Sequence, residues 1–358
     1  MKVYRNVAMV SAGAAAMLIL GACGGSSSGE AAAGGASAAT SACPIGAVDE
    51  SITTTARIAY QKIPNGDLIV KDMGILEACM PKATITWSVF SSGGDVLQAY
   101  GAGSVDLGLT GSNPAVKALS TPLKNTLPLI QDVWIHDVIG AGESLVVKPE
   151  IKSAADLKGK QIATPFGSTA HYSLQNWLTI NGLSSTDVTL INLEPEAMVA
   201  AWPDLAGVWV WDPALSELQK AGGVILATAA ETAAAGFPTY DLGNVVADFA
   251  TANTPFMNMW AKAQNYAVTM ILDDPAAAAE SIAAELAITP AEVQKMFGGF
   301  VYLPAADQAS DKWLGGQLAK DFVGTAGFLL EQGGIEGVST PEEYAAGVNS
   351  SFAKAAAE

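Results

Sequence analysis

From Thr55 to about Asp248, short strand patterns alternate with helical ones, and this alternation restricts the fold more than any other feature of the chain. Thr55 to Tyr60 alternates as a strand. Asp67 to Cys79 follows with helical spacing of Leu68, Val70, Ile75 and Leu76. Thr84 to Phe90 and Val105 to Leu109 read as strands, each leading through a Gly/Ser turn into a helical pattern. The same order repeats with strands at Ser144 to Lys148, Gln161 to Thr164, Val188 to Leu193, Gly207 to Trp211, Val224 to Ala227 and Asn244 to Ala247. Strands separated by helices make parallel βαβ units, because a parallel return needs a crossover that a helix supplies. From Pro255 onward the pattern is helical, with Asp274-Pro275, Thr289-Pro290 and Thr340-Pro341 as helix starts.

The first residues place this fold outside the cytoplasm. Lys2 and Arg5 precede an apolar, small-residue stretch from Val7 to Leu20, and Leu20-Gly21-Ala22-Cys23 has the form of a lipobox. The stretch is too short for a spanning helix, which needs roughly 20 apolar residues. It reads as a signal peptide over residues 1–22, with a lipid on Cys23 as the anchor. Residues 23–53 then form a flexible tether rich in Gly, Ser and Ala, which lacks the apolar area to offset its chain entropy.

Composition removes whole classes of function. A formal charge of −17 opposes nucleic acid and anionic membrane surfaces as partners. The chain has 2 histidines, no HExxH or paired CxxC, no GxSxG elbow and no Walker loop, so neither a metal, a cofactor nor an enzyme activity is expected. With Cys23 lipidated, Cys43 and Cys79 remain. In an oxidising compartment they form one disulfide or persist as two free thiols.

Three strand-to-helix turns stand out: Ser91-Ser92-Gly93-Gly94, Gly111-Ser112-Asn113-Pro114 and Gly167-Ser168-Thr169. Helix N-termini carry unpaired N–H groups and a positive dipole end, so such turns bind anions without Arg or Lys. The same residue types also act as plain N-caps. Glu143 and Asp241 lie at other strand ends, and Trp211-Asp212-Pro213 adds an indole able to stack on an ammonium. Anion-binding amides, carboxylates and an indole in one cleft suit a small zwitterion.

The stretch from Ile58 to Asp248 resembles the taurine-binding proteins of ABC importers, a branch of the type II periplasmic binding proteins. The resemblance rests on Ala59-Tyr60-Gln61-Lys62-Ile63-Pro64-Asn65-Gly66-Asp67, Gly111-Ser112-Asn113-Pro114, Ala163 to Leu174 (ATPFGSTAHYSL), Ala200-Ala201-Trp202, Val210-Trp211-Asp212-Pro213 and Pro238-Thr239-Tyr240-Asp241. It implies an α/β fold of two lobes, each a mainly parallel sheet flanked by helices, with a hinge between them. Residues 54–141 plus 241–356 form lobe 1, and residues 142–240 form lobe 2. It further implies that Ser168, Thr169 and His171 grip a sulfonate from one lobe and Ser112 and Asn113 from the other. Gln61 faces the cleft, and Glu143, Trp211 and Asp241 stand near the ligand amine. The implied partners are taurine or a close aminosulfonate and a membrane permease with its ATPase subunits; the lipid on Cys23 adds the membrane, and a monomer is expected. Two features depart from the family. The turn from Pro203 to Trp209 is short, with Trp209 where Tyr is usual, and Asn113 stands where Ser is common. The alternatives are an alkanesulfonate or another small zwitterion as ligand, and, in a different class, an enzyme resembling the pyrimidine-precursor synthases.

Overall fold

The structure, a computed structural model, describes residues 43–358. The export signal, Cys23 and the tether up to residue 42 lie outside the described residues. Eleven strands are described: β1 (Thr55–Tyr60), β2 (Thr84–Val89), β3 (Leu107–Gly111), β4 (Ile130–Ile139), β5 (Glu143–Val147), β6 (Gln161–Thr164), β7 (Thr189–Asn192), β8 (Gly207–Trp211), β9 (Val224–Thr228), β10 (Tyr240–Val246) and β11 (Phe300–Val301). They form two sheets, ordered β11-β4-β10-β3-β1-β2 and β7-β6-β8-β5-β9, each flanked by helices.

The sheets are mixed rather than mainly parallel. The βαβ part of each follows the parallel rule, with β1 beside β2 and β3, and β6 beside β7 and β8. The strands next to the crossings run the other way. In the first sheet β10 is antiparallel to β3 and β4, and in the second β5 is antiparallel to β8 and β9. A strand entering from the neighbouring sheet starts at the edge where the parallel strands end, so it must run antiparallel to them. The residues that begin β5 and β10 therefore lie beside the residues that end β8 and β3, with Glu143 opposite Trp211 and Asp241 opposite Gly111.

β4 was not expected from the pattern. Its run, IQDVWIHDVI, places Asp132, His136 and Asp137 among apolar residues, and all three are buried. The helical stretch from Asp67 to Cys79 is two helices, α1 (Gly66–Asp72) and α2 (Ile75–Cys79), separated by Gly74 at φ 59. A positive φ costs glycine little and other residues more, so the break falls there. The last strand patterned in the sequence starts earlier than expected, at Tyr240, and Ala247 already begins a helix. The Pro-started helices are present, with the Asp274, Thr289 and Thr340 side chains each capping a first turn.

The first crossing between sheets is the Gly140-Ala141-Gly142 link. Gly140 and Gly142 both donate their N–H to the Gly299 carbonyl, at 3.0 and 2.9 Å. A Cβ on Gly140 would lie 2.8 Å from that oxygen, so this strap needs glycine. A disulfide joins Cys43 to Cys79, tying the segment before β1 to the end of α2.

Candidate ligand site at the strand ends

Three helix starts converge on one narrow cavity of about 20 Å³: α3 (Gly93–Gly101), α4 (Ser112–Ala118) and α5 (Thr169–Ile180). Gly93, Gly111, Ser168 and Thr169 line it, with Gln61 after β1, Glu143 at the start of β5, Trp211 at the end of β8 and Asp241 in β10. The two sheets approach closely here. A Cβ on Gly111 of the first sheet would meet the Thr169 methyl, attached to the second, at 2.8 Å. Gln61 and Trp211 also line a wider cavity of about 210 Å³.

Six of the nine side chains singled out in the sequence meet in this cavity: Gln61, Glu143, Ser168, Thr169, Trp211 and Asp241. Ser112, Asn113 and His171 do not line it. Ser112 Oγ accepts the Tyr240 N–H at 3.3 Å and so clamps the second crossing. Asn113 and His171 face a different cavity. Helical geometry explains His171: at about 100° per residue, position 171 lies roughly 200° around the axis from Thr169. Burial, followed by the nearby Lys117, pushes His171 down to about 4, so it is neutral at pH 7.

The hydroxyls that remain are already engaged. Ser168 Oγ donates to the Pro165 carbonyl at 2.6 Å and accepts the His171 N–H at 3.2 Å. Thr169 Oγ1 donates to Glu143 at 2.6 Å. Their protons point at protein acceptors, so these side chains do not grip an anion as hydroxyl donors. The unspent donors are backbone amides. With His171 N–H bonded to the cap, the first α5 amides, of Thr169 and Ala170, have no acceptor within their helix; Gly93 and Gly94 stand likewise in α3.

The same cavity carries an acidic face. Glu143 accepts from Thr169 and, at 3.2 Å, from Ser173. Burial pushes its carboxyl up to about 8; the Thr169 bond opposes this and the charge of Asp241 adds to it. Burial likewise pushes Asp241 up to about 7, and among the described residues its carboxylate has no protein partner. Asp137, paired across the sheet with Asp241, completes the group. Burial, then Asp241 and Glu143, push it well above the carboxylate range, and neither of its oxygens has a hydrogen-bond partner. Sequence reading missed Asp137 because it missed β4; an aspartate inside an apolar strand run was the available signal. It also missed Phe300, which lines the cavity beside the Gly299 strap. Gln61 donates to the Leu109 carbonyl at 3.1 Å, which leaves its side-chain oxygen as a further acceptor. Trp209 lies buried below Trp211, packed against Trp177 rather than on the cavity wall.

A cavity with an acidic face and helix-end amides can hold a cationic and an anionic group at once. Among the described residues no three His, Cys, Asp or Glu side chains gather closely enough to hold a metal ion. Residues 89–278 match the NMT1/THI5 like family. The chain belongs to that family. It is 34% identical over 278 residues to the taurine-binding periplasmic protein of Escherichia coli K12, covering 75% of this chain and 84% of that one. Among solved structures, the alkanesulfonate-binding protein of Xanthomonas axonopodis pv. citri bound to MOPS is similar at TM-score 0.66 and 25% identity, over 85% of this chain and 99% of that one. The periplasmic aliphatic sulphonate-binding protein of Escherichia coli shares the fold, at TM-score 0.65 and 22% identity over 81% and 91% of the two chains. This member of the NMT1/THI5 like family thus has the two-sheet α/β fold of periplasmic binding proteins, and these three relatives are named as binding proteins.

Proposed function

We propose that the protein captures taurine, or a close aminosulfonate, between two lobes made of residues 54–141 plus 241–356 and residues 142–240, and delivers it to the permease of an ABC importer. One observation carries the reading: two buried carboxylates, Glu143 and Asp241, line one small cavity with the helix-end residues Gly93, Ser168 and Thr169, and Asp137 pairs with Asp241 across the sheet behind them. Buried carboxylates without a cation hold protons to higher pH than exposed ones, and an ammonium returns them to the ionised form. The sulfonate then sits on the amides of α3 and α5, where a fixed negative charge meets N–H groups and dipole ends. Gln61 and Trp211 complete the amine end, the first as an acceptor and the second as a face for the cation. Taurine also appears in the name of the E. coli relative.

An alkanesulfonate without nitrogen is the second reading. The 210 Å³ cavity beside Trp211 favours it, because it offers room for a longer tail. Calorimetric titration of the tether-free protein with taurine, ethanesulfonate and β-alanine separates the two. Taurine tightest supports the aminosulfonate reading; ethanesulfonate equal to or tighter than taurine overturns it.

The protein works outside the cytoplasm, held to the outer face of the cell membrane by a lipid on Cys23. That lipid follows from the lipobox alone. Acyl labelling of the wild type and loss of both label and membrane retention in Cys23→Ala is the expected result; unchanged retention of an unlabelled protein contradicts it.

A further inference from the structure

On the far side of Ser168 from the acidic face lies another cavity, of about 230 Å³. Asn113 and Lys117 of α4 line it, with Phe166, His171 and Gln175 from α5 and the loop before it, and Phe328 from the helix Gln317–Glu331. Its walls therefore come from elements attached to both sheets.

The side chains here present donors without acceptors. Lys117 is half-buried, and among the described residues it makes no ion pair and no hydrogen bond. Burial alone draws its pKa down, with no carboxylate acting against it. Its ammonium lies against Gly167, where a Cβ would almost touch Nζ. Asn113 is only 1% exposed, yet neither its Nδ2 nor its Oδ1 has a partner. Buried amides are rarely left so, since each orphaned polar group costs about 1–3 kcal/mol.

Gln175 adds a third donor. Gly167 N–H donates to His171 Nδ1 at 3.1 Å, so the ring proton of this neutral imidazole sits on Nε2. The Gln175 amide, 2.8 Å from Nε2, must present its oxygen there. Turning the amide over in this way puts its amino group at the buried end, where Oε1 otherwise lacks a partner. Phe166 stacks on the His171 ring at 4.7 Å between centroids and holds this wall in place.

We propose that this cavity is a second anion site, in which Lys117, Asn113 and Gln175 hold a small tetrahedral oxyanion such as sulfate between the two sheets. The site is separate from the acidic cavity, whatever ligand that cavity takes. An oxyanion bridging α4 and α5 links the two lobes, so its occupancy favours the closed arrangement.

The test is calorimetric titration of sodium sulfate into ligand-free protein, at ionic strength held constant with sodium chloride, and again with the protein saturated in taurine. The expected result is one sulfate per chain in both conditions. Lys117→Met should weaken sulfate roughly 10- to 150-fold, the range for a hydrogen bond to a charged group. The same variant should bind taurine in chloride buffer as the wild type does, which also shows that it folds. Asn113→Ala should weaken sulfate to a lesser degree. Absence of sulfate heat in the ligand-free wild type overturns the proposal, as does unchanged sulfate affinity in Lys117→Met. Sulfate displaced mole for mole by taurine overturns it too, since that places both in one site. Should taurine itself fail to bind, the ligand-free titration still decides the question.

Discussion

Replacing Asp241 by Asn isolates the acidic face from the rest of the site. Asn has nearly the same shape, so the cavity keeps its walls while a carboxylate is lost. Among the described residues Asp241 has no protein partner, and it lines the cavity, so the loss falls on the ligand rather than on the fold. One hydrogen bond to a charged group is worth about 1.5–3 kcal/mol, so taurine should bind roughly 10- to 150-fold more weakly. Ethanesulfonate has no ammonium and should change little or improve. The pH profile sharpens the contrast. Asp241 is pushed up to about 7, so about 1% is ionised at pH 5 and about 90% at pH 8. Ionisation of Asp241 alone should therefore raise wild-type affinity for taurine roughly 100-fold over that range, with proton release on binding. Affinity for ethanesulfonate should fall as the cluster gains charge. In Asp241→Asn the taurine slope should flatten, leaving the contribution of Glu143, pushed up to about 8. Isothermal titration in buffers of different ionisation enthalpy reads both affinity and protons. Equal loss for the two ligands, or an unchanged pH slope in the variant, would refute the reasoning.

The same raised carboxylates predict how the empty protein responds to pH. Glu143 and Asp241 bind protons more tightly folded than unfolded, so their contribution is fully present below about pH 4 and lost as pH rises through 7 to 8; ligand-free Asp241→Asn should thus be more stable than wild type at pH 8 in urea unfolding. Gly111→Ala places a methyl 2.8 Å from Thr169 and should weaken every ligand by hindering the approach of the sheets; unchanged affinity for taurine and ethanesulfonate in calorimetry would count against a closing cleft. Reducing Cys43–Cys79, which are 36 residues apart, should cost about 4 kcal/mol through loop closure, read from denaturant midpoints with and without reductant; coincident midpoints oppose it. Ligand binding should shift Trp211 fluorescence, and Trp211→Phe should abolish that shift; an unaltered signal would place the ligand away from the indole.

Local patterns carried the architecture well where each element followed its own period. β6 and β8 run over the residues the pattern predicts, because both are short apolar runs bounded by turn residues. The Pro-started helices were legible because Pro and a capping side chain fix a helix start locally. β4 was not, because its polar residues are buried by the tertiary fold, and strand patterning assumes polar residues face water. That error propagated to the site and concealed Asp137. The residue types of the site were visible in the sequence; the direction of each side chain was not. Ser168, Thr169 and His171 stand within four residues, yet the helix turns the third to another cavity, and hydrogen bonds to Pro165 and Glu143 engage the first two.

That engagement changes what reads the ligand. Were the hydroxyls the anion grip, losing one would remove a donor to the sulfonate. Here Thr169 Oγ1 donates to Glu143, one of the bonds that oppose the upward push on that carboxyl. Thr169→Val keeps the volume and removes the bond, so Glu143 should ionise at higher pH and taurine binding should shift its pH midpoint upward. Its affinity should approach wild type as the pH rises past the variant's higher midpoint. A hydroxyl acting on the sulfonate predicts the reverse: an equal loss at every pH and an equal loss for ethanesulfonate. Titrating both ligands into Thr169→Val from pH 6 to 9 separates the two roles. A pH-independent loss would return Thr169 to the anion end of the site and leave the amides of α5 as auxiliaries.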